Sequence, residues 1–159
     1  MFAKFVGARA VVISSSGMEE RSRLLGASDG INYVNTPDWE QAVWNLTDQA
    51  GVDHVVEVGG AGTLNHSLRA VWVGGHISLF GVLSGSQGDV STATILRKNI
   101  RLQGIYVGSR EMFEAMNQAI ALHEIRPIVD LVFSFAEVRE ALRHLESGVH
   151  FGKVCLNLS

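Results

Sequence analysis

Gly51-Val52-Asp53-His54-Val55-Val56-Glu57-Val58-Gly59-Gly60-Ala61-Gly62-Thr63, followed by Gly74-Gly75-His76-Ile77-Ser78-Leu79-Phe80-Gly81-Val82, decides the fold. Each stretch is a short apolar run ending in glycine, and a helix-length segment lies between them. The pattern is strand, helix, strand. Backbone groups at glycine-bearing strand ends can approach a flat ligand closely, because no Cβ stands in the way.

The same alternation continues on both sides. Arg9 to Ser14 is a compact β-branched run and reads as a buried strand. Ser16 is expected to cap the next helix, with Glu19 and Glu20 in its first turn, where the helix dipole favours acids, and with Gly26 as its stop. Gly30 to Val34 is a second short strand. Thr36-Pro37 predicts a helix start, after which Trp39, Ala42, Val43 and Leu46 share one face. Ala61 to Trp72 reads as the intervening helix, with Leu64, Leu68 and Val71 aligned. Leu83 to Thr94 is polar and rich in Gly and Ser, which predicts a mobile loop. Ile100 to Val107 is a strand, and Ser109 a cap for a helix bearing Met112, Phe113, Met116 and Ile120 on one side. Pro127 to Phe133 is strand-like. Ser134 and Glu137 have capping-box spacing before Val138, Leu142 and Leu145, and Lys153 to Leu158 closes the chain as a strand.

Strands alternating with helices of this length predict a doubly wound α/β fold, a parallel sheet covered on both faces. Ligands of such sheets sit outside the carboxyl ends of the strands. Those ends are Ser14-Ser15-Ser16, Val58-Gly59-Gly60, Phe80-Gly81-Val82 and Val107-Gly108-Ser109.

Composition narrows the function classes. The 159 residues suit one domain with a real core. A net charge of −3 argues against nucleic acid as a partner, since that surface needs a basic stripe. No apolar run reaches the roughly 18 residues that span a bilayer, so no membrane partner is expected. A single cysteine, Cys155, excludes an internal disulfide and a Cys-based zinc cluster, and fits a cytoplasmic protein. The 6 histidines lack metal-ligand spacing, so no metal is assigned, and His144 and His150 read as surface residues.

The runs Val52 to Gly60, Gly74 to Val82 and Phe151-Gly152-Lys153-Val154, together with Leu25-Gly26-Ala27 ahead of Ile31-Asn32-Tyr33, resemble the coenzyme-binding half of the medium-chain dehydrogenase/reductase family, the zinc-type alcohol dehydrogenases and quinone reductases. The resemblance covers essentially the whole chain. It implies a Rossmann-like sheet, NAD or NADP across the strand ends, and hydride transfer to or from an alcohol, aldehyde or enone. It divides the chain into a partial dinucleotide-binding domain, residues 1–124, and a segment, 125–159, that in the family packs back towards the catalytic domain. The family's first strand, its glycine-rich phosphate-binding turn and its catalytic domain have no counterpart in these residues. The sheet is therefore expected to be truncated at its N-terminus and the chain catalytically incomplete alone, with no catalytic residue to name. Another chain, a rearranged strand order or a swapped copy would have to fill the gap, because unpaired buried backbone groups cost about 1–3 kcal/mol each.

On this resemblance Ser14, Ser15 and Ser16 lie where the adenosine ribose would sit. No acid is present there to accept from the ribose hydroxyls, and Arg21 and Arg23 are near, which favours NADP over NAD; a serine-rich helix start is the plain alternative. Val58, Gly59 and Gly60 would give close backbone approach to the coenzyme, and a phosphate cradle at Gly59-Gly60-Ala61-Gly62 is the weaker reading. Glu57 reads as structural. Phe80, Gly81 and Val82, with Val107, Gly108 and Ser109, match nicotinamide-lining positions, against a reading as ordinary turns. Lys153 matches a position near the coenzyme phosphates, against a solvated lysine. Ile100 to Val107 matches a strand that pairs with its own copy, which implies a homodimer. Two other functions stay open: a non-catalytic dimeric interaction module, and an S-adenosylmethionine-dependent methyltransferase using Glu57 to Gly62. The second would need an acid at the next strand end, where Leu79 to Val82 offers none.

Overall fold

Every strand pair among the described residues is parallel, as helices inserted between consecutive strands require. The computed structural model describes residues 2–15 and 17–158, so Ser16, with its expected capping and ribose-binding roles, lies outside the described residues. The chain forms two compact units, Met1–Arg110 and Glu111–Ser159.

The first unit runs α1 (Phe2–Phe5), β1 (Val11–Ser14), α2 (Glu19–Leu24), β2 (Asp29–Asn32), α3 (Trp39–Leu46), β3 (Val52–Glu57), α4 (Leu64–Ala70), β4 (Val71–Leu79), α5 (Thr92–Lys98) and β5 (Arg101–Gly104). Its strands make two sheets, β1-β2 and β3-β4-β5. Among the described residues no ladder joins β1 to β3, so the Rossmann-like sheet is interrupted there, and no rearranged strand order closes it. Side chains bridge the two sheets instead. Ile31, Trp39, Val43 and Ala70 form a buried cluster that gathers Val11 and Ile13 of β1 and Val52 of β3 around α3. A second cluster, Leu64, Leu68, Val71, Ile77 and Ile100, seals α4 against the three-stranded sheet.

Several boundaries differ from expectation for local reasons. α3 starts at Trp39 after Asp38, not at Thr36-Pro37. α4 begins at Leu64 rather than Ala61, because the preceding residues form a turn at the tip of β3. Val71 pairs with Val52 before Gly74, at φ 79°, carries the chain to a shifted register that resumes with His54 opposite His76. The polar stretch expected to stay a loop through Thr94 gives way to α5 at Thr92, with the Ser91 hydroxyl accepting from the Thr94 N–H at 3.3 Å. Lys98, in the last turn of α5, donates to the carbonyls of Leu68, Arg69 and Val71 at 3.1, 2.6 and 2.7 Å. It thereby caps the end of α4 while burial pulls its pKa below the usual lysine range.

The second unit is α6 (Arg110–Leu122, its first residue closing the first unit), β6 (Val129–Ser134), a 3-10 turn (Phe135–Glu137), α7 (Val138–Glu146) and β7 (Lys153–Asn157), with β6 and β7 paired in parallel. The capping box forms as its spacing predicts: Glu137 Oε2 accepts from the Ser134 N–H at 3.0 Å and the Ser134 hydroxyl at 2.7 Å, which lowers the Glu137 pKa. His144 is not the free surface residue expected; its Nε2 meets Asp130 Oδ2 at 2.9 Å in a partly buried pair that ties α7 to β6. His150 likewise departs from a surface role, since its Nδ1 is buried without a partner. Among the described residues no helix is long and apolar enough to cross a membrane.

α3 and α4 are also joined by charge. Glu40 accepts from His66 Nδ1 at 2.5 Å and from Arg69 Nε at 2.7 Å, with only 12% of its side chain exposed. Burial raises the Glu40 pKa, but the His66, backbone and Arg69 hydrogen bonds and the His66 charge outweigh it, leaving the group below 4.5. A depressed folded-state pKa contributes stability that is present above the unfolded value and lost as pH falls through the folded one. Urea titrations at about pH 5 and about pH 3 should therefore show a larger loss for wild type than for Glu40→Gln.

Candidate functional site

The tip of β3 is built around one acid. Glu57, the last residue of β3, is 4% exposed. Its Oε1 accepts from the Gly59 N–H at 2.7 Å, the Gly60 N–H at 3.1 Å and the Thr63 hydroxyl at 2.7 Å. Its Oε2 accepts from the Ser67 hydroxyl, one turn along α4. A buried carboxylate is tolerable only when so satisfied. The structural role expected for Glu57 is what the geometry shows. The phosphate cradle is corrected by the same contacts: the Gly59 and Gly60 N–H groups that would hold a phosphate already hold this carboxylate.

The tip of β4 is joined to that turn. Leu83 N–H donates to Val58 O at 3.2 Å, Ser84 N–H and Oγ to Gly59 O at 2.7 and 2.8 Å, and Ala61 N–H to Gly85 O at 2.9 Å. The glycines exist for this contact. A Cβ on Gly81 would stand 2.3 Å from Val58 O, and one on Gly60, at φ 86°, would stand 2.6 Å from Gly85 O. Close approach of the two loops is by itself enough to require glycine at Gly60 and Gly81. The side chains beside these glycines remain available. Val58, Phe80 and Val82 are 44%, 49% and 56% exposed, forming an apolar rim at the carboxyl ends of β3 and β4.

The other expected site residues fall into three groups. Ser14 ends β1 with its hydroxyl buried and unpartnered, and Ser15 follows in a bend. Arg21 lies on α2, the next helix. Val107, Gly108 and Ser109 follow β5, whose continuation is anchored by Ile105 N–H donating to Leu79 O at 2.8 Å. Lys153 opens β7 in the second unit, with its N–H donating to Ile128 O at 2.8 Å. The structure thus joins the Val58–Gly60 and Phe80–Val82 tips directly. Sequence reasoning missed Thr63, Ser67 and Ser84; the spacing of Thr63 and Ser67, one helical turn apart after Glu57, was the available signal. Among the described residues no three His, Cys, Asp or Glu side chains are grouped so as to hold a metal ion.

Comparison with known proteins places these elements in a wider set. The profile of a family described as zinc-binding dehydrogenase matches residues 1–122. A zinc-type alcohol dehydrogenase-like protein of Schizosaccharomyces pombe is 39% identical over 163 residues, covering 99% of this chain and 47% of that protein. Quinone oxidoreductase-like protein 2 of Bos taurus is 29% identical over 163 residues, covering 94% of this chain and 46% of its own. The crystal structure of an NAD-dependent alcohol dehydrogenase matches with a TM-score of 0.91 at 30% identity, over 99% of this chain and 46% of that one. The chain therefore spans about half the length of the relatives it matches.

Adding a methyl group tests the loop contact. Gly81→Ala forces backbone atoms apart and should lower stability by about 1–3 kcal/mol in urea. Gly104→Ala, with no atom within 4 Å of the new Cβ, should leave stability within error and serves as the control.

Proposed function

Because this chain belongs to the zinc-binding dehydrogenase family, we propose that it is the NAD(P)-binding portion of an alcohol dehydrogenase-like oxidoreductase. The observation that carries the proposal is the apolar rim of Val58, Phe80 and Val82 at the carboxyl ends of adjacent parallel strands, where ligands of such sheets bind. A nicotinamide ring needs an apolar platform of this kind. The unpartnered buried hydroxyl of Ser14 supplies a polar contact at the tip of β1, where the adenosine ribose would lie. In this reading Ser14, Ser15 and Ser16 with Arg21 hold the adenosine end, and Val58 to Gly60 the middle. Phe80 to Val82 and Val107 to Ser109 face the nicotinamide. The serines and the nearby arginine, with no acid at the β1 tip, favour NADP over NAD. When bound, the coenzyme would supply or accept hydride, with an alcohol, aldehyde or enone as partner in the complete enzyme; the residues named here bind and orient it.

Titration with NADPH and NADH, followed by coenzyme fluorescence, tests this. Emission should shift to the blue and rise, with NADPH binding the tighter. No change with either coenzyme at millimolar concentration, and no thermal shift, would remove the proposal in favour of a module that ignores nucleotides.

We also propose that the chain forms a homodimer through residues 100–107. β5 lies at the edge of its sheet, and Ile105, Tyr106 and Val107 beyond it are 42%, 98% and 76% exposed. An apolar edge of this kind is a site for pairing. Tyr106→Lys should halve the mass seen by light scattering without lowering the melting temperature, and a monomeric wild type would defeat the idea.

A further inference from the structure

Glu57 spends its hydrogen bonds on the Gly59 and Gly60 N–H groups and the Thr63 and Ser67 hydroxyls, and both joined tips depend on it. Its carboxylate draws the Gly59 and Gly60 N–H groups inward and fixes the turn to the start of α4 through Thr63 and Ser67. The turn so held presents Gly59 O to Ser84 and Val58 O to Leu83, which locate the loop carrying Phe80 and Val82. We infer that Glu57 is a positioning residue that sets the Val58, Phe80 and Val82 rim, and so governs affinity for the nicotinamide half of the coenzyme but not for the adenosine half. This rests on the coenzyme-binding reading above. The selectivity follows from the interrupted sheet. Glu57 belongs to the three-stranded sheet, whereas Ser14 lies in the β1-β2 sheet, to which no ladder from β3 extends.

The chemistry distinguishes the charge of Glu57 from its shape. In Glu57→Gln the amide oxygen can still accept from Gly59, Gly60 and Thr63, while the amide N–H₂ donates to a rotated Ser67 hydroxyl. In Glu57→Ala the buried N–H groups lose their acceptor, and the turn must move to hydrate them.

The test titrates the full chain with two probes: NADPH, and adenosine 2′,5′-bisphosphate, which has no nicotinamide. Glu57→Ala should weaken NADPH about tenfold and leave adenosine 2′,5′-bisphosphate within about twofold, while Glu57→Gln restores NADPH to within about threefold of wild type. Ser84→Ala removes one of the four hydrogen bonds that join the loops, Ser84 Oγ to Gly59 O, without touching the buried acid. It should produce the same selective loss on a smaller scale, and keeps the inference open to refutation should Glu57→Ala not fold. Equal weakening of both probes in Glu57→Ala or Ser84→Ala, or unchanged NADPH affinity in both, overturns the positioning role. Wild type that binds neither probe overturns the coenzyme reading itself, and the inference with it.

Discussion

The structure turns on one buried carboxyl group that supplies the acceptor for its own glycine turn. Burying the Glu57 carboxyl group at 4% exposure would be costly without hydrogen-bond partners, and four donors converge on it. The consequence spreads outward in a fixed order. Thr63 precedes α4 and gives its hydroxyl to Glu57 rather than to a helix N–H, which ties the start of α4 to the tip of β3. From that start Leu64, Leu68 and Val71 face inward onto Ile77, and the helix covers the sheet. The turn that the acid holds then meets the loop after β4. Strand, helix and loop are placed by one group.

The same contacts occupy the loop that the methyltransferase alternative would use. Glu57 to Gly62 imitates a glycine-rich ligand loop in sequence, but its glycines are consumed by packing against Gly85, Ser84 and Thr63. The Gly59 and Gly60 N–H groups are taken by Glu57, and the Cβ positions of Gly59, Gly60 and Gly62 are filled by neighbours. The chemistry is displaced to the side chains beside the glycines, which are apolar and half exposed.

What could be read from the residues alone were features decided over a few positions. The spacing of Leu64, Leu68 and Val71 selects a buried helix face, and Ser134 with Glu137 forms its capping box. The parallel arrangement follows from strand and helix alternating. What could not be read depends on partners distant in sequence. Ser84 finds Gly59 across 25 residues, and Lys98 finds the α4 carbonyls across nearly 30. α5 was hidden because Gly and Ser dominate the stretch before it, and the Ser91 cap that starts it lies inside that stretch. The role of Gly81 and Gly60 was legible as a need for close approach but not as to what approaches. Sequence registers the missing Cβ, and only the fold shows the oxygen that would meet it.

The interrupted sheet makes the helix layer answerable for the site. A dinucleotide lying across the strand ends would place its adenosine end over β1 and its nicotinamide end over β3 and β4, so it would straddle the gap between β1 and β3, where no backbone ladder among the described residues fixes the spacing. That spacing is set by apolar packing of Trp39 and Val43 against residues from both sheets, reinforced by Glu40 gripping His66 and Arg69. Apolar packing is less directional than a hydrogen-bonded ladder, and it tolerates small sliding where a ladder does not. Affinity for a ligand that bridges both sheets must then respond to changes in α3 that touch no ligand atom, whereas affinity for a fragment resting on one sheet need not. The same asymmetry is why a residue such as Glu57, confined to one side of the interruption, can act on half of a ligand.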